Sequence, residues 1–136
     1  MKVLHFAFDE NMPASDYIPH NFGNNFIAYT GTHDNNTTKG WFKQDIDVDT
    51  RKRVEKYIGK PLNEDNVAME LIQLAYGSVA KTVIIPMQDV LNLDADARMN
   101  MPSSTENNWT WRLQSAQLPS DARERLKELV WLYNRK

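Results

Sequence analysis

His33 and Asp34 stand side by side in the run Tyr29-Thr30-Gly31-Thr32-His33-Asp34-Asn35. An imidazole can donate or accept a hydrogen bond, and an ionised carboxylate only accepts. Together they can hold a polar ligand from two sides. Phe26-Ile27-Ala28-Tyr29, just upstream, reads as a strand. The pair therefore falls at a predicted strand's carboxyl end, which is where parallel α/β folds bind ligands. A carboxylate buried there without compensation is costly, so Asp34 is expected to meet a ligand or a strong partner. The alternative is that Asp34 caps the following turn and His33 makes one structural hydrogen bond. The residues alone leave both readings open.

A second group lies downstream. Ala97-Arg98-Met99-Asn100-Met101-Pro102 contains Arg98, a fixed fork of donors, and Asn100, which both donates and accepts. Both suit sugar hydroxyls, and an arginine pinning loop carbonyls is the plainer use. Asn108-Trp109-Thr110-Trp111-Arg112 follows. Aromatic faces beside hydrogen-bonding side chains suit sugar rings as well as ordinary packing. Trp111 is expected to pack, and Trp109 is open to either use; Trp41 also has polar neighbours. His20 is a lone loop histidine, expected at the surface. Asp9-Glu10 reads as solvated loop, and Asp45, Asp47 and Asp49 as the acidic start of a helix. A strand-Gly-x-His-Asp element also occurs in metal-dependent phosphoesterases. The other histidines, His5 and His20, form no further ligand cluster, so no metal is expected.

These side chains need elements to position them. Val3–Phe8, Phe26–Tyr29 and Thr82–Pro86 read as strands, the last with an unbroken apolar pattern that predicts burial on both faces. A helix is predicted from Asp47 or Asp49 to Ile58, stopped by Gly59 and Pro61. A longer one is predicted over Glu64–Lys81 behind Asn63, with Val67, Leu71, Leu74, Ala75 and Val79 as its stripe. Gln88–Leu93 is a helical turn, Trp109–Leu113 a short extended piece, and Ser120 opens a final helix using Ala122, Leu126, Leu129, Val130 and Tyr133. Asp9–Asn25 is a polar loop long enough to suggest function. Strands alternating with helices predict parallel βαβ units. Three strands cannot close a barrel that usually takes about 250 residues, so residues 1–136 are expected to be part of a larger α/β domain.

Composition narrows the classes. The chain has 136 residues, 41% hydrophobic and 25% charged, which is ordinary for a globular protein. A formal net charge of −2 without a basic stripe gives nucleic-acid binding no electrostatic support. There are no cysteines, which excludes disulfides and thiolate sites and fits the cytoplasm. No apolar run approaches the ~20 residues of a membrane span, and the first residues do not form a signal peptide.

The motifs together resemble one family. Met1–Phe8, Tyr17-Ile18-Pro19-His20-Asn21, Tyr29–Thr38 with Gly40-Trp41, Pro86-x-Gln88-Asp89, Ala97-Arg98-Met99-Asn100-x-Pro102 and Asn108-Trp109-x-Trp111-Arg112 follow in the order found in 4-α-glucanotransferases of the amylomaltase type. The series runs from residue 1 to about residue 112. The resemblance implies about three βα units at the C-terminal end of a (β/α)8 (TIM) barrel, with the rest of the barrel upstream. It implies transfer of α-1,4-glucan segments to the 4-hydroxyl of another glucan, with retention through a covalent glycosyl-enzyme. Partners would be maltooligosaccharides, maltodextrin, glycogen or starch, and no cofactor is implied. The nucleophile and the acid/base, about 5 Å apart in retaining enzymes, match positions upstream of this chain, so the isolated chain is expected to be inactive. Asp34 matches the family's transition-state-stabilising carboxylate and His33 a sugar-hydroxyl donor. Asn100, Arg98 and Trp109 are expected to contact substrate. Asn36 and Ser103 depart from the family, which often has Asp and Gly there. A carbohydrate-binding module without catalysis is the alternative.

Overall fold

The structure is a computed structural model that describes residues 1–135. A three-stranded parallel sheet has the order β1 (Lys2–Val3), β2 (Ile27–Tyr29), β3 (Thr82–Ile84). Val3 pairs with Tyr29, and Tyr29 with Ile84, so all three strands end level. Between β2 and β3 lie α1 (Thr38–Gly40), a π-helical turn (Trp41–Asp45), α2 (Val48–Ile58) and α3 (Val67–Gly77). After β3 come α4 (Met87–Val90) and α5 (Ser120–Leu132).

The first strand is shorter than expected. After Val3 the chain turns into a 3-10 helix, Leu4–Phe6. Leu4 and His5 are both buried, as are Ala7 and Phe8. A straight strand would send one of each pair to the opposite face of the sheet, and that face is largely uncovered. The third strand departs from expectation for the same reason. Ala28 and Val83 point into the main core with Leu4, Phe8, Val54, Val67 and Leu71. Ile27 and Ile84 point the other way and are 39% and 45% exposed. Thus β3 is covered on one face only, because no element among the described residues lies over the other.

Local chemistry sets the helix ends. The Asp47 carboxylate accepts from Thr50 N at 2.7 Å and caps α2. That hydrogen bond holds its pKa below the usual carboxylate range. Gly59, at φ 87°, ends α2 in the left-handed conformation that glycine adopts without strain. α3 is shorter than expected at both ends. Asn63 Oδ1 accepts from Asp65 N and Asn66 N at 2.9 and 3.1 Å, so its side chain makes a turn and the helix starts after it. At the other end the Arg135 guanidinium donates to the carbonyls of Tyr76, Ser78 and Ala80. Val79 therefore lies outside the helix and is exposed. α5 buries Ala122 and Leu129 with Ile72 and Val90, with Leu126 and Tyr133 packed alongside; Val130 faces outward. Residues 109–113 are not extended. Trp109 has φ 61°, and Arg112 Nη1 donates to the carbonyls of Trp109 and Trp111, curling the segment.

Candidate functional site

The segment after β2 carries the site. Thr32 N and Oγ1 both donate to Asn35 Oδ1, at 2.8 and 2.9 Å. The Asp34 backbone N–H is taken by Thr32 Oγ1 at 3.3 Å. Thr32 and Asn35 thus organise the turn, and the Asp34 carboxylate is free of that duty. The capping alternative for Asp34 fails on this geometry.

The loop after α4 grips this turn. Asn100 N donates to His33 O at 3.1 Å, and Asn100 Nδ2 to Asp34 Oδ1 at 2.7 Å. Arg98 Nη2 donates to Asp34 O at 2.7 Å, and Arg98 Nε to Asn100 O at 2.8 Å. Trp109 N donates to Met99 O at 2.7 Å, which sets the indole 5.1 Å from the His33 ring at a 40° tilt. All five residues singled out from the sequence, His33, Asp34, Arg98, Asn100 and Trp109, therefore meet at one edge of the sheet. A cavity of about 410 Å³ opens there, lined among others by Tyr29, His33, Asp34, Asp89 and Arg98.

The exposure of Asp34 and of Trp41, open in the sequence, is set by the fold. Asp34 is not buried: its side chain is half exposed, with Oδ2 facing His33 Nε2 at 3.4 Å. Trp41, in contrast, is no surface platform. It is buried and stacks on His5, with centroids 4.7 Å apart and planes within 4°. Trp109 is 51% exposed, with its backbone in a region that non-glycine residues seldom occupy. Such conformations cost on the order of 1–3 kcal/mol and cluster at ligand sites. Trp111 is half-buried, and His20 is exposed, bonded to Tyr57 and to Pro13 O.

Beneath the turn lies a buried polar cluster to which the sequence reading gave no role. Asp89 accepts from Thr30 Oγ1 at 2.5 Å, from Thr38 Oγ1 at 2.7 Å and from Thr38 N at 2.7 Å. Burial pushes its pKa up, and the three donors pull the other way. His5 Nε2 lies 2.9 Å from Thr38 Oγ1. The Thr38 hydroxyl gives its proton to Asp89, so His5 Nε2 must donate to it. His5 Nδ1 is then a buried acceptor without a protein partner. Desolvation lowers the His5 pKa to about 3, which keeps the ring neutral. The available signal was the polar pair Gln88-Asp89 within the otherwise apolar stretch from Val83 to Leu91.

Comparison with known proteins places this architecture. Residues 1–118 match the family described as 4-alpha-glucanotransferase. A 4-alpha-glucanotransferase of Synechocystis is 44% identical over 137 residues, covering 100% of this chain and 26% of the relative. The Aquifex aeolicus 4-alpha-glucanotransferase is 40% identical, over 98% of this chain and 27% of its own length. The amylomaltase of Streptococcus agalactiae, solved in complex with acarbose, superposes with a TM-score of 0.92 at 38% identity, over 99% of this chain and 27% of that one. The chain spans about a quarter of the length of the curated relatives it matches. With the family match covering most of its residues, the chain belongs to the 4-alpha-glucanotransferases.

Proposed function

We propose that residues 1–136 form the C-terminal part of a (β/α)8 catalytic domain that transfers α-1,4-glucan segments to the 4-hydroxyl of an acceptor glucan. The observation that carries this reading is the Asp34 carboxylate at the carboxyl edge of a parallel sheet. One oxygen is fixed by Asn100, and the other is open toward His33 and the cavity. A carboxylate so held can accept sugar hydroxyls whose acidity grows as the ring gains oxocarbenium charge. Such contacts strengthen on the way to the transition state and so accelerate the reaction. His33 offers a second hydroxyl partner. The Trp109 indole supplies an apolar face for a ring, and Arg98 retains Nη1 for a hydroxyl at the rim.

Retention through a glycosyl-enzyme needs a nucleophile and an acid/base. In this reading both come from sequence preceding the present chain, and the uncovered face of Ile27 and Ile84 belongs to the interior that the upstream strands complete. The reaction needs no cofactor, and the compartment is the cytoplasm. The test is maltotriose disproportionation by residues 1–136 alone and by a full-length enzyme carrying them. Glucose and longer maltooligosaccharides should appear with the full-length enzyme only. Turnover by the isolated chain would overturn the division of the site. If the isolated chain folds, calorimetric binding of maltooligosaccharides together with an inactive full-length enzyme would favour a binding module.

A further inference from the structure

The segment Gly31–Thr37, which holds His33 and Asp34, begins and ends on the same side chain. Thr30 precedes it and Thr38 follows it, and both hydroxyls donate to Asp89 Oδ2, at 2.5 and 2.7 Å. Thr38 N donates to Asp89 Oδ1 at 2.7 Å. Thr30, Thr38 and Asp89 are buried, at 0%, 0% and 3% exposure. Asp89 sits on α4, so one carboxylate ties together the end of β2, the start of α1 and the element after β3. His5, from the turn after β1, joins through Thr38 Oγ1 at 2.9 Å. The ends of all three strands converge on this one group.

We infer that Asp89, with Thr30 and Thr38, is a positioning clamp that closes the base of the Gly31–Thr37 loop and thereby sets where Asp34 presents its carboxylate. The crown of the loop is held by Arg98 and Asn100 at the surface, where water competes for each bond. The base is held by three donors to one buried carboxylate, where it does not. An opening of the base would rotate the whole loop, Asp34 included, and displacements on the order of 1 Å can cost about 10²-fold in rate. Gly31 belongs to the same device. A Cβ there would stand 2.7 and 2.8 Å from His5 Cε1 and Nδ1, and that ring is wedged against Trp41.

The clamp's catalytic consequence rests on the proposed transfer reaction; its geometric part does not, and two readouts separate them. In the full-length enzyme, Thr30→Val and Thr38→Val each remove one hydroxyl at nearly constant volume. Thr38→Ser keeps the hydroxyl, and Val54→Ala weakens the core elsewhere. The clamp predicts that both valine variants lose at least about tenfold in kcat with KM within about threefold, while Thr38→Ser and Val54→Ala keep kcat. Hydrogen exchange of the 31–38 peptide should speed up at least about tenfold in the valine variants and stay unchanged in the other two. Unchanged exchange in both valine variants overturns the clamp, whatever the activities. Faster exchange with kcat equal to that of Val54→Ala overturns its catalytic consequence. A wild-type enzyme that exchanges as expected but transfers no glucan overturns the functional reading and leaves the clamp standing.

Discussion

Asp34 and Asp89 lie at the same edge of the same sheet, and their surroundings are opposite. Asp89 is buried and receives three protein donors on its two oxygens. Asp34 is half exposed and receives one hydrogen bond from the protein, leaving an oxygen toward the cavity. A buried carboxylate stays tolerable only when the fold supplies its hydrogen bonds. A carboxylate meant for a ligand must keep an oxygen free. The number of protein donors, more than position in the sheet, separates the structural aspartate from the one that keeps an oxygen open to the cavity.

The comparison can be broken from either side. The largest effect is expected at Asp34. In the full-length enzyme, Asp34→Asn should lower kcat by roughly 10²–10³-fold, with the thermal midpoint within about 2 °C of wild type because the group is exposed. Initial-rate assays and a melting curve decide it; near-normal turnover would remove Asp34 from the reaction. Asp89→Ala should show the reverse emphasis in stability. It strands three buried donors, the hydroxyls of Thr30 and Thr38 and the Thr38 N–H, each costing about 1–3 kcal/mol, and urea unfolding should register a loss of at least about 3 kcal/mol. A smaller effect belongs to Trp109, whose replacement by alanine should weaken maltooligosaccharide binding about tenfold, the scale of one aromatic contact. Calorimetry on the full-length enzyme reads this directly.

The buried side of the site also has a pH signature. His5 is neutral in the fold with a pKa near 3, whereas in the unfolded chain it takes a proton below 6.5. The unfolded state therefore binds more protons as the pH falls from 6.5 toward 3. Stability from this group is fully present above 6.5 and drains on acidification, at up to about 1.4 kcal/mol per pH unit. Asp89, raised in pKa, contributes the opposite slope above its ordinary value of 3.8. His5→Gln, which can still donate to Thr38, should remove the first slope and keep the second. Urea titrations at pH 7, 6, 5 and 4 should show a flatter acid limb by about one proton. The smallest effect is expected at the Lys43–Asp94 ion pair on the surface. Lys43→Ala should leave the thermal midpoint within measurement error, and a larger change would mean that the surface contributes more than its exposure suggests.

Much of this was legible in the sequence, and what escaped has a physical pattern. Asp47 and Gly59 bound α2 where capping chemistry places them, because those signals are local. The strand-end position singled out His33 and Asp34, while the resemblance carried by the ordered motifs implied that Arg98, Asn100 and Trp109 join them. Misreadings arose where tertiary context overrides a local pattern. Val83-Ile84-Ile85 reads as doubly buried, but burial depends on a covering layer. Val3–Phe8 reads as one strand, but Leu4-His5 and Ala7-Phe8 pack in adjacent pairs. The Asp89 cluster escaped because its partners are 51 and 59 residues distant, and hydroxyl-to-carboxylate contacts have no periodicity to announce them.

That separation also has a consequence in time. Thr30 and Asp89 are 59 residues apart. At a synthesis rate of about 5–20 residues per second, Thr30 leaves the ribosome roughly 3–12 s before the carboxylate that will anchor it. Through that interval the strand after which His33 and Asp34 fall has β1 beside it, but its Thr30 hydroxyl lacks the buried acceptor. The edge that carries His33 and Asp34 is thus among the later parts of this chain to mature, and a nascent chain stalled before residue 89 would present the His33-Asp34 turn to proteases and chaperones without its base.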